Sequence, residues 1–361
     1  MATFRRRGSR QWQVQVRRRG YPAQSATFDT KAEAEAWAQM IESEMARGVW
    51  LSRSEGESTT LHELLDRYES EVVPTKKGKA QERSVLRLWR VTQLAKRMVS
   101  SIRGLDIAMV RDHWLQTHQP ATVLRRLQVL SHVFNVARRE WGMESVSNPV
   151  DLVRKPAANN ARSRRLVEPP GDRTGASPGE LERLIAATGS KVLPALVRLA
   201  VETAMRRSEL VGLRWEHIDL DRRVVHLPAT KNGTSRDVPL SSVAAAELAK
   251  LKREKESSAG ANAAMSGRVF PVREDAVTRA FERALSRART LYIADALGSG
   301  KEPAAEFLVG LRFHDLRHEA ASRMATVYQL HELAKVTGHK DPRMLMRYYH
   351  PKAEDLAKKL A

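Results

Sequence analysis

The stretch Leu311-Arg312-Phe313-His314-Asp315-Leu316-Arg317-His318 decides how the chain is read, together with Gly338-His339-Lys340-Asp341-Pro342 and Met346-Arg347-Tyr348-Tyr349-His350 behind it. His314 and Arg317 are three residues apart, so on a helix or in its first turn their side chains share a face. Tyr348 follows His339 by nine residues, and Pro342 between them is placed to open a new helix. Two histidines, an arginine and a tyrosine able to converge on one point suggest phosphoryl transfer with the tyrosine as nucleophile.

Working outward, the composition points to the same kind of partner. The chain has 361 residues, enough for two or three domains with their own cores. Lys and Arg number 62 against 42 acids, a formal charge of +20, which favours a polyanion and above all nucleic acid. Cysteine is absent, so thiolate zinc sites, disulfides and cysteine nucleophiles are all excluded. No apolar run approaches the roughly 20 residues of a membrane span. Arg5, Arg6 and Arg7 are not followed by the apolar core of a signal peptide, so a cytoplasmic protein, nucleoid-associated when bound to DNA, is expected.

The two C-terminal segments resemble box II of the tyrosine recombinases, the phage-integrase family, whose pattern is His-x-x-Arg, then Gly-His, then Arg-Tyr. Upstream, Thr203-Ala204-Met205-Arg206-Arg207-Ser208-Glu209 is similar to the family's box I, Thr-Gly-x-Arg-x-x-Glu, with Ala204 in place of glycine. Arg206 rather than Arg207 stands at the motif position, and Glu209 one turn on would orient its guanidinium. The segment Ala229-Thr230-Lys231-Asn232-Gly233 looks like the hairpin that carries the family's catalytic lysine. The resemblance implies a catalytic set of Arg206, Lys231, His314, Arg317, His339 and Tyr348, with Tyr349 the alternative nucleophile.

The chemistry of that set is coherent without a cofactor or a metal, and none is expected. Planar guanidinium forks of Arg206 and Arg317 match the non-bridging oxygens of a phosphodiester. His339 could donate a third hydrogen bond, and each such donor contributes roughly 3 to 4 kcal/mol to a charged transition state. A phenol with a pKa near 10 needs a base or a strongly positive site, and His314 is the candidate base. Lys231 is the candidate acid for the leaving 5′-oxygen. A 3′-phosphotyrosine conserves the bond energy, so religation needs no ATP.

The expected fold is mainly α with small β elements: a β-sheet-plus-helix arm module, an all-α core-binding domain and a mixed α/β-hairpin catalytic domain. Residues 1–50 form the arm module. Trp12, Val14 and Val16 alternate with Gln13 and Gln15 as in a half-buried strand, and Ser25 to Phe28 make a return strand. Thr30 and Glu33 then open a helix with a capping box. Its Arg5, Arg6, Arg7, Arg17, Arg18 and Arg19 are candidate DNA contacts. Ser52 to Thr60 reads as a linker. Residues 58–155 give four amphipathic helices of a SAM-like core-binding domain, the second running through Leu94 and the fourth the clearest (Val123, Leu127, Leu130, Phe134, Ala137). Trp89, Trp114, Phe134 and Trp141 are read as core, and Lys76, Lys77, Lys79, Arg125 and Arg126 as free to meet phosphate.

Residues 156–177, rich in Ala, Asn, Arg, Pro and Gly, read as an extended basic linker, and 178–361 as the catalytic domain. There the strands Arg223 to Leu227 and Arg236 to Leu240 meet at a turn centred on Asn232-Gly233, and a later helix covers about Asp275 to Thr290. The tail Pro351 to Ala361 is amphipathic and suited to docking on a neighbouring protomer. The resemblance implies double-stranded DNA at attachment sites, a homotetramer on that DNA, accessory directionality or bending proteins, and no membrane. It points to a recombinase that integrates or excises a phage or other mobile element. Topoisomerase IB-like relaxation and a catalytically inactive DNA binder are the alternatives.

Overall fold

In the computed structural model, residues 1–8, 11–51, 54–157, 162, 164–167, 178–228, 234–259 and 266–349 are described. The chain divides into two compact units, Met1–Asn160 and Ala161–Ala361. No helix among the described residues is long and apolar enough to cross a membrane.

The first unit opens with an antiparallel sheet of β1 (Ala2–Arg7), β2 (Gln11–Val16) and β3 (Gln24–Phe28), order β1-β2-β3. The period of two sorts its faces. Phe4, Val14 and Ala26 pair in one row, and this face packs on α1 (Lys31–Ala46) with Val14, Val16, Ala34, Ala38, Ile41 and Met45 buried. The opposite face carries Thr3, Arg5 and Arg7 of β1 against Gln15, Gln13 and Gln11 of β2, then Ser25 and Thr27 of β3. Helix α1 begins where the sequence says: Thr30 Oγ1 accepts from the Glu33 N–H at 3.2 Å while the Glu33 carboxylate takes the Thr30 N–H.

The supposed linker holds a short helix, α2 (Ser54–Ser58), seated because Gly56 lets its backbone lie against Val146, where a Cβ would come within 2.4 Å of a methyl. Four longer helices follow: α3 (Leu61–Glu71), α4 (Lys79–Arg90), α5 (Gly104–Leu115) and α6 (Pro120–Glu140). Helix α4 stops at Arg90, short of Leu94, which belongs to a separate 3-10 turn. Trp89, Trp114, Phe134 and Trp141 are all buried in one core, the Trp89 and Trp114 rings 4.6 Å apart at their centroids.

Two basic residues read as available for phosphate are not. The Arg126 guanidinium is buried 4.7 Å over the Trp114 ring, where cation–π attraction and its apolar stem hold it. Lys76, its side chain 26% exposed, is engaged by Glu82 and the Tyr68 hydroxyl. Burial raises the Glu82 carboxyl, but hydrogen bonds from Lys76 and Tyr68 outweigh it and hold the group below the ordinary range. Lys77, Lys79 and Arg125 are exposed, as are Arg5, Arg6, Arg7, Arg17, Arg18 and Arg19.

In the second unit α8 (Leu193–Thr203) is apolar on nearly every side and central, with α7 (Glu180–Ala187), α9 (Arg207–Val211), α10 (Ser242–Ala259), α11 (Glu274–Gly298) and α12 (Phe313–Met324) around it. Helix α11 runs two turns beyond Thr290, because Tyr292 and Ala296 continue its buried stripe onto Phe307 and Leu308. A sheet of β4 (Ile218–Asp219), β5 (Val224–Leu227) and β6 (Arg236–Pro239) flanks this body, β4 being a strand the sequence reading did not separate. Its last pair is Leu227↔Arg236. That register differs from the one a two-residue turn on Asn232-Gly233 would impose, and the turn itself lies outside the described residues. The chain closes with α13 (Leu330–Thr337) and α14 (Arg343–Met346); the tail Pro351 to Ala361 is outside the described residues.

Arg126→Ala should destabilise the protein by about 1 to 2 kcal/mol through lost packing, whereas Arg125→Ala should stay within about 0.5 kcal/mol. Urea unfolding midpoints of the two variants check this, and equal midpoints would return Arg126 to the surface.

Candidate active site

The site is built where box I meets box II. Helix α8 ends with Ala204 in the left-handed region (φ 52), the conformation that the motif's glycine would take without strain. After this turn Arg206 stands at the N-cap of α9, and the Glu209 side chain at the third helical position reaches back to its N–H. The Glu209 carboxylate takes the Arg206 N–H at 2.7 Å and its Nη1 at 2.9 Å. It also receives Arg236 Nη1 and Nη2, at 2.9 and 2.8 Å. Burial alone would raise this carboxyl, but the Arg236 fork and the Arg206 bonds hold it down at about 2.

Arg317, on α12 and only 5% exposed, donates Nη1 to the Ala204 carbonyl and Nη2 to the Thr337 carbonyl at 2.7 Å. Burial and the neighbouring charges of Arg206 and Arg236 bring its guanidinium down to about 10, still cationic at neutral pH. Arg206 reaches the same turn, its Nη2 lying 3.4 Å from the Gly338 carbonyl. The turn Thr337-Gly338-His339 is thus the hub on which both arginines converge. Gly338 has φ 69, and an added Cβ would meet Arg236 Nη1 at 2.9 Å, so glycine is required twice over.

Two histidines flank this hub. Thr337 donates its hydroxyl hydrogen to the Leu333 carbonyl at 2.6 Å and must therefore accept from Nδ1 of His339 at 2.7 Å. Neutral His339 then carries its proton on Nδ1 and presents Nε2 as an acceptor. Burial first, and then the charges of Arg317, Arg206 and Arg236, depress its pKa to about 4. Consequently Nε2 of His339 can act as a donor only once the ring is protonated, a condition the sequence did not reveal.

At the Tyr348 hydroxyl stands His318, through Nδ1, and not the expected base His314. His314 lies one turn back on α12, its ring 5.1 Å from that of His318. The protein mass around His314 and the charge of Arg317 hold it below the ordinary histidine range, although its edge is open to solvent. Burial, His314 and Arg347 bring His318 down to about 4. The Tyr348 phenol is pushed up by burial, against the opposing charges of Arg347, Arg317 and Arg165. With the His318 imidazole lowered and the Tyr348 phenol raised, the proton rests on the phenol in this state, and His318 holds the hydroxyl in place.

The competing residues point elsewhere. Tyr349 donates its hydroxyl to the Tyr328 carbonyl at 2.8 Å, and Arg207 binds Thr278 and Glu274. Lys231 lies outside the described residues. Sequence reading missed Arg236, His318 and Thr337. For Arg236 a signal existed: it is in register with the buried Val238 on β6, and a charged residue on a core-facing row demands a partner. Three arginines of the basic linker are anchored. Arg162 pairs with Asp315, Arg164 with Glu180 and Arg165 with Glu319, so they strap this segment to the second unit.

Comparison with known proteins decides the family. Residues 177–355 match the model of the phage integrase family. The chain is 36% identical over 311 residues to an Escherichia coli protein named shufflon-specific DNA recombinase, covering 83% of this chain and 71% of that one. The chain belongs to the phage integrase family, the tyrosine recombinases. The fold agrees: a lambda integrase dimer bound to a COC' core site superposes with a TM-score of 0.61 at 20% identity, over 96% of this chain and 93% of that one. A lambda integrase tetramer bound to a Holliday junction superposes with a TM-score of 0.60 at 19% identity, over 93% and 92% of the two chains.

His318 and His339 are neutral in the folded site at pH values where free histidine, near 6.5, gains a proton. The unfolded chain therefore binds more protons, and their contribution to stability, complete above 6.5, is lost as pH falls toward about 4. Histidine Cε1–H NMR titration should show two resonances with midpoints near 4, and ordinary midpoints for both would contradict this arrangement.

Proposed function

We propose that this tyrosine recombinase is an integrase-type enzyme that cuts and rejoins double-stranded DNA at defined sites through a 3′-phosphotyrosine at Tyr348. The observation that carries the assignment of the nucleophile is the Tyr348 hydroxyl held on His318, next along α12 from the buried Arg317, while Tyr349 is tied to a distant carbonyl. Arg206 and Arg317 bind the non-bridging oxygens, and their charge takes the place of a metal's. As the phosphate arrives, its negative charge favours protonation of His339, whose Nε2 then becomes a donor. His314 and His318 together serve the phenol's proton, the pair replacing the single base expected from sequence. Lys231 acts as the acid on the leaving 5′-oxygen.

Three functional parts follow: an arm module over 1–50, a helical core-binding domain over 58–155, and a catalytic domain from 178 onward. The polar sheet face of Arg5, Arg7, Gln11, Gln13 and Gln15 supports the arm reading, because a β-ribbon of this width enters a major groove and glutamine reads adenine edges. Lys77, Lys79 and Arg125 are the helical unit's phosphate contacts. The working state on DNA is a homotetramer, as in the lambda integrase tetramer on its Holliday junction. Relatives named as recombinases favour strand exchange over topoisomerase-like relaxation or an inactive binder.

On a nicked suicide substrate Tyr348→Phe should bind DNA and form no covalent adduct, Tyr349→Phe should retain adducts, and wild-type adducts should form in EDTA. Denaturing gels read all three, and adducts from Tyr348→Phe would move the nucleophile. Arg5→Ala should lower the slope of log binding constant against log salt by about 1 on arm-type DNA. An unchanged slope in a salt titration would take the sheet out of the interface.

A further inference from the structure

We propose that Arg236 is a positioning residue of strand cleavage, holding Glu209, and through it the Arg206 guanidinium, while pinning the turn that carries His339. The inference rests on the recombinase reading above. Each nitrogen of its guanidinium is committed. Nη1 and Nη2 reach the two Glu209 oxygens at 2.9 and 2.8 Å, and Nε donates to the Val336 carbonyl at 2.9 Å, in the last turn of α13. The side chain is 8% exposed and lies behind the site, facing protein rather than an open phosphate position.

One residue thereby joins three segments far apart in sequence: the box I cap at 206–209, strand β6, and the turn at 336–338. The Gly338 turn sits directly on its guanidinium, since a Cβ there would meet Nη1 at 2.9 Å. Charge gives the arrangement its purpose. A buried Glu209 matched by Arg206 alone would cancel the charge that Arg206 offers to phosphate. With Arg236 supplying the second cation, the carboxylate is satisfied from behind and still orients Arg206 through its N–H and Nη1. A lysine has one ammonium and cannot span two carboxylate oxygens and a carbonyl in this fork geometry.

The test compares single-turnover cleavage of the suicide substrate by wild type, Arg236→Lys, Arg236→Ala, Glu209→Ala and the Arg236→Ala/Glu209→Ala double variant, with DNA affinity and thermal melts alongside. Both Arg236 variants should keep DNA affinity within about threefold and lose cleavage rate on the order of 100-fold, the cost of a misplaced catalytic group. The lysine should not rescue, and the double variant should lose no more than the worse single one. Arg236→Lys keeps charge and bulk, so it carries the test if Arg236→Ala does not fold. The lysine variant should also gain an acid limb in its pH–rate profile that wild type lacks, because Glu209 is no longer doubly paired. Wild-type rates in the lysine variant, losses that track DNA affinity, or a double variant that multiplies the single effects would overturn the proposal. A wild-type enzyme that forms no adduct would overturn the recombinase reading and this inference with it, whereas adducts with unaffected Arg236 variants overturn the inference alone.

Discussion

A single carboxylate, Glu209, buried among guanidinium groups, is the constraint on which the rest of the catalytic unit depends. Placing cations close enough to grip one phosphate is opposed by their mutual repulsion and by the loss of water around each. The protein counters both with one negative charge and a set of backbone carbonyls. Glu209 pairs with Arg206 and Arg236, while Arg317 is held by the carbonyls of Ala204 and Thr337. Carbonyl dipoles stabilise a guanidinium without neutralising it, so positive charge survives for the substrate.

That solution explains two backbone features that look costly in isolation. Ala204 accepts a left-handed conformation because its carbonyl must face Arg317. Gly338 bends sharply because the turn it belongs to must offer carbonyls to Arg206 and Arg317 while lying against Arg236. The rigid frame comes from α8, whose apolar surface is covered by the helices that bear these residues. Preorganised donors of this kind need no rearrangement as charge develops at phosphorus. The histidines behave oppositely. Burial first, and the neighbouring positive charges after it, keep His318 and His339 unprotonated near neutral pH.

In the first unit, excess positive charge is divided between two uses. Arg126 and Lys76 serve the helical core, one over an indole ring and the other against Glu82 and Tyr68. Lys77, Lys79, Arg125 and the arginines of the sheet remain at the surface. Charge count alone cannot separate these classes, because adjacent residues on one helix, Arg125 and Arg126, fall on opposite sides of the division.

By itself the sequence determined the parts whose signals are local. Period-two alternation placed β2, a capping box placed the start of α1, and the short spacings of box I and box II marked Arg206, His314, Arg317, His339 and Tyr348. Those features depend on neighbours within one or two turns, which a linear reading sees. Only the tertiary structure decided what those residues touch: that Arg236 shares Glu209 with Arg206, that His318 rather than His314 meets Tyr348, and that Arg317 is held between the carbonyls of Ala204 and Thr337. Each of these is a hydrogen bond whose energy depends on atomic separation and on burial, and both are fixed by how segments distant in sequence pack together, information that no local spacing contains.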